Sequence, residues 1–202
     1  MDKKILIIGD SFACPWLKPK YDGWPTLLAK KYNLDNLAEA GVGEYKILKQ
    51  LRQMSNLDAW WIQTFGLVIV SHTSPSRIHT SNHPVHKKGL HKNCDLIYND
   101  IMEKSHIFNS RLKTAKNWFK HFYDDDYQKD IYELMRNEIA RSIPIPAIHL
   151  DHFSISKDFG SEKHRIDFCQ TWIKHRGIVN HYTEEGNRIV YQRIIDKIGQ
   201  IC

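Results

Sequence analysis

The chain predicts an α/β fold, a mostly parallel sheet covered on both faces by helices. Two observations carry this. Short continuous apolar runs of strand length, Ile5–Ile8 and Leu67–Val70, mark strands buried on both faces. Segments with apolar residues at helical spacing separate them, and strands alternating with helices make βαβ units.

The first strand is Lys4-Ile5-Leu6-Ile7-Ile8, stopped by Gly9-Asp10. Its length, isoleucine content and glycine stop favour a strand over a helix. Pro15, Pro19 and Gly23 mark the following loop. Leu27, Leu28 and Tyr32 recur at helical spacing within Trp24–Tyr32, Asn33 ends that helix, and Leu34–Ala38 reads as a second strand. Gly41 and Gly43 make a flexible turn. Ile47, Leu48, Leu51 and Met54 then form one apolar helix face, and Trp60-Trp61 reads as packing at that helix's end. Leu67–Val70 is the third strand. Residues 72–95 are polar and carry Pro75 and Pro84, which predicts a long loop, a feature usually tied to function or motion. Residues 96–140 are mostly helical, interrupted near Asp124-Asp125-Asp126. Asp126 is expected to cap the second part, with Ile131, Leu134, Met135 and Ile139 on its apolar face. Pro144 and Pro146 lead into a fourth strand, Ala147-Ile148-His149-Leu150. A loop region with Gly160 and Gly177 follows. The last helix is expected over Thr183–Ile198, with Val190, Ile194 and Ile198 on one face and acids at its start, where the helix dipole favours them. No repeat, low-complexity tract or linker interrupts the pattern, so residues 1–202 read as one domain with a long polar, His-rich loop at about 72–95.

At 42% hydrophobic and 26% charged residues, the composition excludes a disordered chain and supplies a core. No apolar run approaches the ~20 residues of a membrane span. The apolar run Ile5–Ile8 is shorter than the roughly 7–15 residues of a secretory core. The expectation is a cytoplasmic protein. Cys14, Cys94, Cys169 and Cys202 show no paired spacing, consistent with free thiols in a reducing compartment. The net charge of +6 is spread along the chain without a block of like charges. It reads as a solubility feature, and neither nucleic acid nor membrane is expected as a partner.

Open α/β sheets bind ligands beyond the carboxyl ends of their strands. Gly9-Asp10-Ser11, Asn36-Leu37-Ala38-Glu39-Ala40-Gly41 and His72-Thr73-Ser74-Pro75 sit at such ends, and Asn180-His181 lies just before the last helix. Serine catalysis needs an exposed hydroxyl, a base and donors for the oxyanion. Ser11 supplies the first and His181 can supply the second. The backbone N–H groups of Ser11 and Gly41 can supply the third, with Gly43 as the alternative donor in a shifted register.

These residues resemble the SGNH/GDSL hydrolases. Ile7-Ile8-Gly9-Asp10-Ser11-Phe12 looks like the nucleophile block, Asn36 with Gly41 like the block whose glycine donates an oxyanion N–H, and His181 with Gly186 like the catalytic-histidine block. The blocks follow the family's order and span almost the whole chain. The resemblance implies a three-layer αβα sandwich of flavodoxin-like type. It also implies hydrolysis of an acyl or acetyl ester, acetylated carbohydrate being one substrate class, with Ser11 as nucleophile and His181 as base. Two departures accompany it. Where the family's third block carries Gly-x-Asn-Asp, this chain reads His72-Thr73-Ser74-Pro75-Ser76-Arg77, so Ser74 or Thr73 must donate in place of an amide. Losing one oxyanion donor costs on the order of 10²–10³ in rate. Ile178 stands where the family places the acid three residues before the histidine, leaving a backbone carbonyl, Asn180 or Asp151 to orient His181. These departures define the alternative, a catalytically silent SGNH-like binding or assembly module. Asp10 and Arg77 complete the residues expected at the substrate, although Arg77 could equally pair with a surface acid.

His83, His86, His91 and Cys94 could place imidazoles and a thiolate around zinc. Their spacing fits no standard motif, and Lys87, Lys88 and Lys92 would repel a cation. The expectation is therefore a solvated loop over the active site, with no metal and no cofactor. Asp124-Asp125-Asp126 likewise reads as a solvated loop and helix cap.

Overall fold

The computed structural model describes residues 3–15, 21–55, 63–103, 109–153, 163–177 and 181–201. Five strands form one all-parallel sheet: β1 (Lys4–Gly9), β2 (Leu34–Asn36), β3 (Phe65–Ser71), β4 (Ala147–Asp151) and β5 (Arg165–Asp167), in the order β2-β1-β3-β4-β5. The register pairs Ile7 with Asn36 on one side of β1 and with Ile69 on the other. Among the described residues seven α-helices connect and flank them: α1 (Trp24–Ala29), α2 (Glu44–Ser55), α3 (Tyr98–Glu103), α4 (Ser110–His121), α5 (Asp125–Ser142), α6 (Cys169–Lys174) and α7 (Glu184–Ile201). This is the three-layer sandwich with flavodoxin-like strand order.

The apolar runs explain the layering. Alternate residues of a strand face opposite sides. Ile5, Ile7, Leu67, Ile69, Ile148 and Leu150 therefore meet Trp24 and Leu28 of α1 and Val190, Ile194 and Ile198 of α7. Leu6, Ile8, Val68 and Val70 meet Ile47, Leu48 and Leu51 of α2 and Ile139 of α5. Ile5 to Ile8 are completely buried. Each such side chain contributes roughly 1.5–3 kcal/mol of transfer free energy. A third, smaller cluster joins Ile101, Leu112 and Phe119 of α3 and α4 to Ile78, Val85 and Leu96 of the long loop.

Several elements differ from the sequence expectation. The expected second strand over Leu34–Ala38 is only Leu34–Asn36, because Asn36 turns its side chain onto the backbone: Ala38 N–H donates to its Oδ1. The cap of α5 is Asp124 rather than Asp126, and its carboxylate accepts from Tyr127 N–H. Leu134, expected on the apolar face of α5, is 62% exposed. The short β5 and α6 had no counterpart in the expectation. Trp60-Trp61, Gly160, Ile178, Asn180 and Cys202 lie outside the described residues. Cys14, Cys94 and Cys169 are free and buried. Among the described residues no helix is long and apolar enough to cross a membrane.

Candidate functional site

In the order β2-β1-β3-β4-β5 the connections leave β1 and β3 in opposite directions, so the crevice lies beyond their carboxyl ends. Gly9-Asp10-Ser11 occupies one end there and Ser71-His72-Thr73 the other. The two strands approach closely at this point. Gly9 has φ +152°, and a Cβ on it would fall 2.6 Å from Ser71 Cβ and 2.6 Å from the Ser71 carbonyl oxygen. Gln50 of α2 brackets the same glycine, accepting from its N–H at 2.8 Å and donating to its carbonyl at 3.1 Å.

Ser11 opens the turn after β1 and is 6% exposed. Ala13 N–H closes that turn on the Asp10 carbonyl at 3.1 Å. The indole of Trp24 donates to the Phe12 carbonyl at 2.8 Å, and the Asn36 amide donates to the Ala13 carbonyl at 2.7 Å. Asn36 thus ties the Ser11 turn to the turn that carries Gly41. Gly41 has φ +76°, a left-handed conformation suited to glycine. Its carbonyl accepts from Arg77 Nη1 at 3.0 Å and from Asp95 N–H at 2.9 Å. Among the described residues the N–H groups of Ser11 and Gly41 donate to no other group. Gly43 differs: its N–H donates to Asp95 Oδ2 at 2.7 Å, which removes it as the alternative oxyanion donor.

Asp10 is fully buried beneath Ser11. Burial pushes its carboxyl up to about 6, against the opposing field of Arg77 and the hydrogen bond from Phe12 N–H. Thr73 is also fully buried, with its hydroxyl toward the Asp10 carboxyl and its carbonyl accepting from Tyr132 OH at 3.1 Å. The Thr73 hydroxyl is buried and takes no hydrogen bond among the described residues. Ser74 is half-buried, and its Oγ accepts from Ser76 N–H at 3.4 Å, leaving its own proton to donate. Arg77 spans the turn and the acid, bonded to Gly41 while its charge favours the Asp10 carboxylate.

His181 packs against Phe12, ring centroids 5.3 Å apart, at the same end of the sheet as Ser11. A buried chain of polar groups links the two motifs. Ser71 Oγ lies 3.4 Å from Asp10 Oδ1 and 3.0 Å from His152 Nε2, and His152 Nδ1 lies 2.7 Å from Tyr182 OH. His152 stacks on Phe12 at 4.4 Å and 7°. Burial lowers its pKa to about 3, so the ring is neutral. Asp151, one of the groups left to orient His181, instead pairs with Arg136 at 2.5 Å and with Arg165.

On the other sheet face lies a second buried chain. Glu44, at the start of α2, places Oε1 2.6 Å from His72 Nδ1, and His72 Nε2 lies 2.9 Å from His149 Nδ1. Burial raises the Glu44 carboxyl to about 8 and lowers both histidines well below their ordinary range. The chain is therefore neutral near pH 7. Beside it a cavity of about 170 Å³ is lined by Gly43, Glu44, Arg77, Asp95, Gln128 and Tyr132 among others.

Of these groups the sequence expectation missed Ser71, Glu44 and His152. For His152 the signal was His149-Leu150-Asp151-His152 at the carboxyl end of the fourth expected strand, where such sheets place functional side chains. The loop over 72–95 also departs from a solvated segment. His83, Cys94 and Asp95 are buried, and Ile78 pairs with Leu96 across its base. No family model matches the chain, and no curated protein matches it.

Proposed function

We propose that the protein is a serine hydrolase of SGNH type that cleaves an acyl or acetyl ester of a small molecule or carbohydrate. Ser11 Oγ attacks the carbonyl carbon while His181 takes its proton. The C=O π electrons move to oxygen, and the N–H groups of Ser11 and Gly41 hold the oxyanion, with the Ser74 hydroxyl as third donor. Collapse breaks the ester C–O bond, and His181 protonates the departing alcohol. Water, deprotonated by His181, then attacks the acyl-serine and releases the acid.

The observation that carries this reading is the pair of Ser11 and Gly41 N–H groups, engaged with nothing else among the described residues, on two turns tied together by Asn36. Donors fixed before substrate arrives need no reorganisation during reaction, which is why oxyanion sites are worth so much. A second reading, the silent binding or assembly module, is favoured by one observation: Asp151, a candidate for orienting His181, is committed to Arg136 and Arg165.

Hydrolysis of p-nitrophenyl acetate separates the two. The hydrolase reading expects saturable turnover in the wild type, lost in Ser11→Ala and in His181→Ala, with Ser11→Ala melting within a degree or two of the wild type. A wild type no faster than Ser11→Ala would move the conclusion to the binding module.

A further inference from the structure

We propose that His83, His86 and Cys94 form a binding site for a zinc-class divalent cation, which fastens the long loop against the Gly41 turn. The folded loop brings these residues together from its two ends, with one donor atom of each lying within 4.8 Å of the others. Tetrahedral zinc, at its usual N and S bond lengths, needs donors roughly 3.3–3.6 Å apart. A closure of at most about 1.5 Å meets that requirement.

A second observation points into the same spot. His83 is 3% exposed, and its buried Nε2 takes no hydrogen bond among the described residues. Its nearest acid, Asp100, stands off at 3.8 Å, while the same Asp100 oxygen lies 3.2 Å from His86 Nε2. That carboxylate lies near both imidazoles, and a water can take the remaining position of a tetrahedral ion. Imidazole and thiolate together suit zinc or cobalt rather than magnesium or calcium. Lys87, Lys88 and Lys92 are all exposed, and Lys87 donates to Asn82 at 2.6 Å. Their charges sit in water rather than against the donors, which removes the main sequence objection to a cation.

The ring of His83 sets a condition. Its Nδ1 accepts from Val85 N–H and His86 N–H, both at 3.1 Å, so the proton sits on Nε2. Ligation through Nε2 moves that proton to Nδ1 and releases both backbone donors. The amide signals of Val85 and His86 should therefore shift on metal binding. The site also touches the catalytic proposal without depending on it. A Cβ on Gly41 would fall 2.7 Å from Cys94 Cβ, so a cation held by Cys94 would stiffen the contact behind the proposed oxyanion donor.

The test uses tag-free, full-length protein stripped with a chelator and titrated with Co²⁺ alone, then with Zn²⁺. The proposal expects saturation at one cobalt per chain, with a thiolate-to-cobalt charge-transfer band, intense tetrahedral bands and displacement by zinc. In Cys94→Ser the charge-transfer band disappears and zinc affinity falls by at least about tenfold. His121→Asn, on exposed α4, changes neither. If Cys94→Ser fails to fold, His86→Ala decides instead: it must lower cobalt affinity by at least about tenfold, and a variant that binds cobalt like the wild type overturns the proposal. Failure to bind one cobalt at micromolar concentration, or binding without that band, overturns the proposal. So does binding that Cys94→Ser leaves intact. None of these readouts depends on ester hydrolysis.

Discussion

Replacing Glu44 by glutamine should abolish a loss of stability that the wild type suffers between pH 7 and 8. Burial raises this carboxyl from its ordinary 4.5 to about 8, although the nearby Arg136 opposes the shift. Between those values the folded chain keeps a proton that the unfolded chain has released. The unfolded state then binds fewer protons, so stability falls as pH rises through the window. The full slope is about 1.4 kcal/mol per pH unit. Because the folded group is half titrated at pH 8, the loss from pH 7 to 8 comes to about 1 kcal/mol. Asp10, raised to about 6 chiefly by burial, has almost finished titrating by pH 7. His72, His83, His149 and His152, all lowered chiefly by burial, add an opposite gain of about 0.5 kcal/mol together as the unfolded histidines lose their last protons above pH 7, and this gain is common to wild type and variant. Glutamine reproduces the protonated acid: its amide can donate to His72 Nδ1 and its oxygen can accept from Thr73 N–H, the contacts Glu44 makes. Urea unfolding at the two pH values measures the effect. From pH 7 to 8 the wild type should lose about 1 kcal/mol relative to Glu44→Gln. The same pH dependence in wild type and variant would refute the placement of a neutral Glu44 in the buried chain.

Three further outcomes follow from the same structure. Arg136→Met leaves Asp151 buried with Arg165 as its remaining ion-pair partner among the described residues, and should cost about 3 kcal/mol in urea unfolding. Gly41→Ala forces a φ of +76° on alanine and sets its Cβ 2.7 Å from Cys94 Cβ. It should lower stability by about 1–3 kcal/mol and depress ester turnover beyond what the stability loss explains. Leu134→Glu should change unfolding free energy by less than about 0.5 kcal/mol, whereas Ile139→Ala, on the buried face of the same helix, should cost about 2–5 kcal/mol.

The sheet was legible where one physical signal dominates. Ile5–Ile8 and Leu67–Val70 are buried on both faces, and a continuous apolar run needs no alternation to be read. The strand Arg165–Asp167 has only Ile166 buried, so three residues offered no period to detect. At α5 the choice among three consecutive aspartates depended on which carboxylate reaches back to an N–H, and that is Asp124 reaching Tyr127. Leu134 looked apolar-faced because its spacing fits the helix, but nothing packs there and it stays exposed.

At the site, the turn residues Ser11 and Gly41 were readable because glycines and strand ends announce them. Their bonding was not. That Gly43 gives its N–H to Asp95, a residue distant in sequence, follows from how the long loop folds back. The same folding brings His83 and His86 to Cys94, which no standard ligand spacing foretold. Long-range pairings of this kind depend on the third cluster, Ile101, Leu112 and Phe119 with Ile78 and Leu96, which holds the loop down.

The central claim is an activated serine at the end of β1. Intact-mass measurement after treatment with a fluorophosphonate, followed by peptide mapping, tests it most directly. The account predicts one adduct per chain, on Ser11, absent in Ser11→Ala and strongly slowed in His181→Ala. A folded wild type that stays unmodified by the fluorophosphonate while a known serine esterase reacts fully, or an adduct on any residue other than Ser11, would contradict it.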